Sequence, residues 1–149
     1  MKKKIKGKQA QHLATKTSRS VSESKIFFDE LLTRYNRRDF LHSDPIQFPH
    51  RYNDPKDQEV AAFIAALFAY GSVNLIARAV ETILKPLGES PAKALRAYTG
   101  RENLWPGFYH RFHNEKHLVV LLKVTGGILR EHGSLGIFFE KCYLAGGRD

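Results

Sequence analysis

An all-α fold is predicted for this chain, and three observations predict it. Apolar residues recur at three- and four-residue steps from Ile26 to Cys142, and no segment alternates with period two. A serine, aspartate or asparagine stands at the head of each apolar run, where a helix needs its first amides met. The expected architecture is about six helices around a central buried helix over residues ~55–70. A disordered basic tail over 1–22 precedes a single helical domain over 23–149.

The first helix starts at Ser22 or Ser24 and turns Ile26, Phe27, Leu31, Leu32 and Tyr35 to one side. "HSDPIQFPHRYNDP" carries three prolines and cannot continue a helix, so a long loop is expected there. The second helix is the best specified. Asp54 caps it, Pro55 suits its first position, and Asp57 is an acidic partner for its positive end. From Val60 to Tyr70 every residue is apolar, which leaves no face for water and places this helix in the middle of the domain. Gly71 is expected to end it.

Ser72 then caps a third helix that buries Val73, Ile76, Val80, Ile83, Leu84 and Leu87, closed by Pro86 and Gly88. Ser90 and Pro91 start a fourth, with Leu95 and Tyr98 inward. Asn114 caps a fifth, faced by Leu118, Leu121, Leu122, Thr125, Ile128 and Leu129 and ended by Gly133. Gly126 and Gly127 each cost up to roughly 1 kcal/mol in a helix interior, which predicts a tight crossing or a kink. Ser134 caps the last helix, with Leu135, Phe138, Phe139 and Cys142 inward.

At 149 residues, 42% hydrophobic and 26% charged, the chain has enough material for one buried core. No run approaches the ~18 apolar residues of a membrane-spanning helix. The single cysteine excludes an internal disulfide framework or a multi-cysteine zinc site. It fits a reducing compartment, and the basic leader lacks the apolar core of a secretory signal, so a cytoplasmic location is expected. The net charge of +9 is lopsided. Lys2, Lys3, Lys4, Lys6, Lys8, Lys16 and Arg19 all precede the first acid, Glu23, and leave only +2 for residues 20–149. Such a tail attracts polyanions through counterion release, and equally fits a solubilising leader.

Two loop-to-helix junctions echo each other. "FPHRYNDPKD" from Phe48 aligns with "FYHRFHNEKH" from Phe108, so His50-Arg51-Tyr52 lies over His110-Arg111-Phe112, each just before a helix start. Free amides and the helix dipole favour an anion at such a position, and arginine makes forked contacts to phosphate. The competing reading is that each arginine binds loop carbonyls or an acid and holds its loop down. His110, His113 and His117 are spaced H-x-x-H-x-x-x-H, but the glutamate of the zinc-protease motif is absent, and no metal or other cofactor is expected. No nucleophile motif or glycine-rich phosphate loop is present either.

"DPIQFPHRYNDPKDQEVAAFIAALFAYGSV", "ILKPLGESP", "FYHRF" and "GSLGIFF" resemble the opening portion of an uncharacterised bacterial family, the domain of unknown function 2400. The likeness runs from about residue 30 to about residue 143. Members of that family are longer, with a later P-L-D-T-H-type segment similar to the V-D-T-H segment of helix-hairpin-helix DNA glycosylases. "EVAAFIAALFAYGSVNLIARAVETIL" is itself similar to a helix-turn-helix of endonuclease-III-type glycosylases, whose turn approaches DNA. Gly71 stands where those enzymes place a gap-filling glutamine, beside Tyr70, so that role does not transfer directly.

The resemblance implies a helical nucleic-acid-binding module, the scaffold half of a glycosylase-like fold without catalysis of its own. The sites are then His50, Arg51, Tyr52, Tyr70, Gly71, Ser72, His110 and Arg111, and the partner is DNA or another polyanion. The alternatives are a helical scaffold with no nucleic-acid role, and a truncated product. Helix faces meant for a missing half would be exposed and drive self-association.

Overall fold

The computed structural model describes residues 21–146 and separates into two compact units, Met1–Phe40 and Leu41–Asp149. The expected tail lies outside the described residues except for Val21 and Ser22, and these are already helical. In the first unit a helix, α1, covers residues 21–35. Lys25 and Asp29 pair across one turn of it, and the Tyr35 ring packs against Phe40. Ile26, Phe27, Leu32 and Tyr35, read as an inward face, are each more than half exposed.

In the second unit the proline-rich stretch is less irregular than a long loop. It winds into short 3-10 turns, Pro45–Gln47 and Pro49–Arg51, because proline fixes φ near a helical value while lacking the amide a longer helix needs. Asp44 caps the first turn through the Ile46 amide at 2.8 Å, and Phe48 between the turns is buried.

Five helices follow: α2 (Pro55–Leu67), α3 (Val73–Leu84), α4 (Pro91–Ala97), α5 (Glu115–His132) and α6 (Leu135–Ala145). A small antiparallel hairpin, β1 (Tyr109–His110) with β2 (His113–Asn114), leads into α5. Its strands are two residues long, too short to show as alternation in the sequence. Among the described residues no helix is long and apolar enough to cross a membrane.

Helix α2 is central, touching α3, α4, α6 and both 3-10 turns. Asp54 caps it as expected, through the Lys56 amide at 2.8 Å. Two expectations fail here. The helix stops at Leu67, not at Gly71, because Phe68 leaves the helical path to bury its ring edge-on against Phe108, 5.8 Å away. Nor is it covered on every side: Ala62, Ala66 and Leu67 face out. Gly71 is needed nonetheless. It holds φ +115° in the link to α3, a conformation that side chains with a Cβ rarely adopt.

The core joins Val60 and Ile64 of α2, and Phe68 just past its end, to Val80 and Ile83 of α3, Leu95 of α4, and Leu118, Leu122 and Leu129 of α5. Trp105, 2% exposed, closes one end and donates its indole N–H to the Ile83 carbonyl at 3.0 Å. Burying side chains of this size stabilises the fold by about 1.5–3 kcal/mol each before entropy is charged. Val73, expected inward on α3, is exposed instead.

The paired glycines of α5 mark a tight crossing. A Cβ at Gly126 would stand 2.2 Å from the Leu95 carbonyl oxygen of α4. Beside it Arg130 donates to the Arg96 carbonyl at 2.8 Å, while Arg96 donates to the Gly133 carbonyl, so each helix end is closed by an arginine of the other. Gly133 ends α5 in the left-handed conformation, φ +83°, with its amide on the Leu129 carbonyl.

Two carboxylates near the start of α2 serve other helices. Asp57 lies in the first turn of its own helix as expected. It is also buried, accepting from the Ala92 amide at 2.8 Å and from Ser90 Oγ at 3.2 Å. It thereby takes the capping role expected of Ser90, whose hydroxyl caps nothing. Glu59 accepts the Leu135 amide at 3.0 Å and completes the start of α6, where Ser134 caps the Ile137 amide. Leu135 is the one residue of α6 that is fully buried; Phe139 and Cys142, expected inward, are exposed, since this helix lies against the body along one edge.

Candidate functional site

The two His-Arg-aromatic triplets take different conformations and lie against opposite ends of α3. His50-Arg51-Tyr52 closes the Pro49–Arg51 turn. Arg51 is fully engaged: Nη1 is 2.5 Å from Glu81 Oε2, Nη2 donates to Gln47 Oε1 at 3.3 Å, and the guanidinium lies 4.4 Å over the Phe48 ring. The Tyr52 carbonyl accepts from Gln58 Nε2 at 2.8 Å. Burial raises the Tyr52 phenol above its usual range, with Arg51 offsetting part of the rise. His50 is exposed. This triplet ties its turn to the helices beneath, as the competing reading of the arginine foresaw for Arg51.

The second triplet sits at the tip of the hairpin. His110 is 6% exposed, its ring 4.9 Å from Tyr70 and 5.9 Å from Phe68, and its Nε2 has no hydrogen-bond partner among the described residues. Arg111 holds φ +56°, the one positive value among the described residues other than glycine. A left-handed arginine costs about 1 kcal/mol or more, since its Cβ crowds the next carbonyl. Its side chain is exposed, with no ion pair or hydrogen bond among the described residues, and its Cδ and Nε lie 3.9 Å from where a Gly71 Cβ would stand.

Tyr70 joins these parts. Its ring stacks near-parallel to Phe112, 20° and 6.4 Å apart, and its hydroxyl is 2.5 Å from His113 Nδ1. Burial raises the Tyr70 phenol, and the Arg111 guanidinium pulls it partly back; which of the hydroxyl and the ring nitrogen donates follows from the His113 tautomer. Ser72 occupies the cap position of α3, but its hydroxyl makes no capping bond, and the first amides of α3 are not met by it. Tyr70, Gly71, Ser72, His110 and Arg111 are thus one cluster, and His50, Arg51 and Tyr52 are not part of it.

The histidine run does not converge. His113 is held by Tyr70, and His117 Nδ1 accepts the Asn114 amide while Asn114 Oδ1 accepts the His117 amide, a reciprocal cap. Among the described residues no group of three histidine, cysteine or acidic side chains is placed to hold a metal ion. Two further residues join the cluster: Phe112, marked in the sequence only as the aromatic of its triplet, and His113, marked only as part of the histidine run. The dense run "FYHRFH" was the available signal, but nothing in it announced a hairpin, because arginine is a poor marker for a left-handed turn.

The family model described as "Protein of unknown function (DUF2400)" matches residues 44–147. No curated protein and no solved structure matches the chain.

Proposed function

The chain belongs to the DUF2400 family of proteins of unknown function, and from that premise we propose that it is a helical nucleic-acid-binding module, without catalysis of its own. The observation that carries this reading is Arg111. It is a cation with no protein partner among the described residues, held in a strained conformation beside Gly71 at the uncapped start of α3. Uncapped amides, a helix dipole and a guanidinium together favour a phosphate. The likeness of the Tyr70-Gly71-Ser72 turn to the DNA-facing turn of endonuclease-III-type glycosylases supports the same reading. The basic residues from Lys2 to Arg19 would add a sequence-independent attraction.

A second reading, a helical scaffold with no nucleic-acid role, is favoured by one observation: Arg51 is committed to Glu81. Anisotropy of a labelled DNA duplex, followed as salt is raised, separates the two. Arg111→Ala is expected to weaken binding about tenfold and to reduce the salt slope by about one phosphate contact. Arg51→Ala is expected to leave that slope unchanged. Changing Lys2, Lys3, Lys4, Lys6 and Lys8 to glutamine should weaken binding without abolishing it. Complete loss on neutralising the tail, with no effect of Arg111→Ala, would leave only a sticky leader.

A further inference from the structure

A groove of about 650 Å³ opens between the end of α2 and the outer side of α5, lined by Leu67, Phe112, Val120 and Val124. These four residues are between 42% and 79% exposed. Val120 and Val124 are one turn apart on α5, opposite the stripe that fills the core, so α5 carries apolar residues on two sides. The surface does not stop at the groove. Phe63, one turn before Leu67 on α2, packs against Phe139 of α6 with ring centroids 6.1 Å apart. Phe139 and Tyr143, 50% and 68% exposed, continue the apolar stripe one turn further along α6.

We infer that this face is a dimer interface, in which the Phe139–Tyr143 stripe of one copy lies in the Leu67–Val120–Val124 groove of a second. Groove and stripe occupy one face, so a twofold axis satisfies both at once and closes the assembly at two. The exposed parts of these six side chains amount to roughly 700 Å², close to the ~800 Å² that each partner of a stable complex buries. Charge agrees with a second copy. The body beyond the basic tail carries only +2, so like-charge repulsion between copies is small. Lys116 stands at the groove and Glu140 on α6 between Phe139 and Tyr143, and neither has an ion-pair partner among the described residues, so each copy offers the other's complement. The groove shares Phe112 with the cluster around Arg111, but the variants that test it lie at neither Arg111 nor the start of α3.

Sedimentation velocity of the full chain, nuclease-treated and in high salt, tests it over a wide concentration range. A reversible monomer–dimer equilibrium is expected. Val124→Glu and Tyr143→Glu, both at exposed positions, should each weaken it by about tenfold or more. Lys116→Glu and Glu140→Lys should each weaken it, and the double exchange should restore it, an outcome that general stickiness would not produce. A monomer at every concentration would overturn the inference. So would association without a plateau at two, or a dimer indifferent to Val124→Glu and Tyr143→Glu.

Discussion

Gly126→Ala is expected to lower stability by about 3 kcal/mol, read as a fall in Tm of roughly 10 °C. In an isolated helix the same change would be favourable, because alanine exceeds glycine in helix propensity by up to about 1 kcal/mol. The sign reverses here because the added methyl would stand 2.2 Å from the Leu95 carbonyl oxygen and 3.1 Å from its carbon. Both are backbone atoms inside α4 and cannot rotate away. The helices must separate, and the Arg130–Arg96 bonds that close their ends would stretch with them. Gly127→Ala is the control. Its Cβ would meet nothing nearer than an Arg130 nitrogen at 3.8 Å, so it should be neutral or stabilise by up to about 1 kcal/mol. Equal melting temperatures for the two alanine variants would refute a close crossing at Gly126.

Asp57→Ala should cost about 3 kcal/mol in chemical denaturation, well above the ~1 kcal/mol expected for Asp54→Ala. Both aspartates stand at the start of the same helix, Asp54 as its cap and Asp57 in its first turn, and the sequence explains both by helix-start chemistry alone. Asp54 is an exposed cap whose loss leaves the Lys56 amide to water. Asp57 is 5% exposed, and its removal strands the buried Ala92 amide and takes the acceptor from the half-buried Ser90 hydroxyl. Asp57→Asn should recover part of the loss, since its amide oxygen can still accept the Ala92 N–H. If Asp54→Ala proved the more damaging of the two, the buried carboxylate would not be the tie between α2 and α4.

Most of the fold was legible because its signals are local. Asp54, Asn114 and Ser134 cap the helices they precede, Gly133 ends α5, and the Gly126–Gly127 pair lies at a crossing. What stayed hidden depends on residues far apart in sequence. The uniform apolar run from Val60 to Tyr70 gave no reason to stop at Leu67; that reason is Phe108, forty residues on. The outward turn of Phe139 and Cys142 follows from how little of α6 is covered, which periodicity does not report. The candidate cluster was half legible. Tyr70-Gly71-Ser72 and His110-Arg111 were each marked, but their meeting rests on a hairpin held by two-residue strands. The offset repeat misled in one respect. It suggested two equivalent clamps, whereas Glu81 engages one arginine and no acid approaches the other among the described residues.

The paired roles of Asp57 and Glu59 bear on the order in which this chain folds. Within one turn, α2 supplies acceptors to amides 35 and 76 residues downstream. The Ala92 amide of α4 and the Leu135 amide of α6 gain these acceptors only when α2 is docked, so both closures are long loops in chain-entropy terms. The opening turn of α2 is therefore shared property of three helices. A fluctuation that frays it releases the Ala92 and Leu135 amides together, which places the beginnings of α2, α4 and α6 in one cooperative unit of hydrogen exchange.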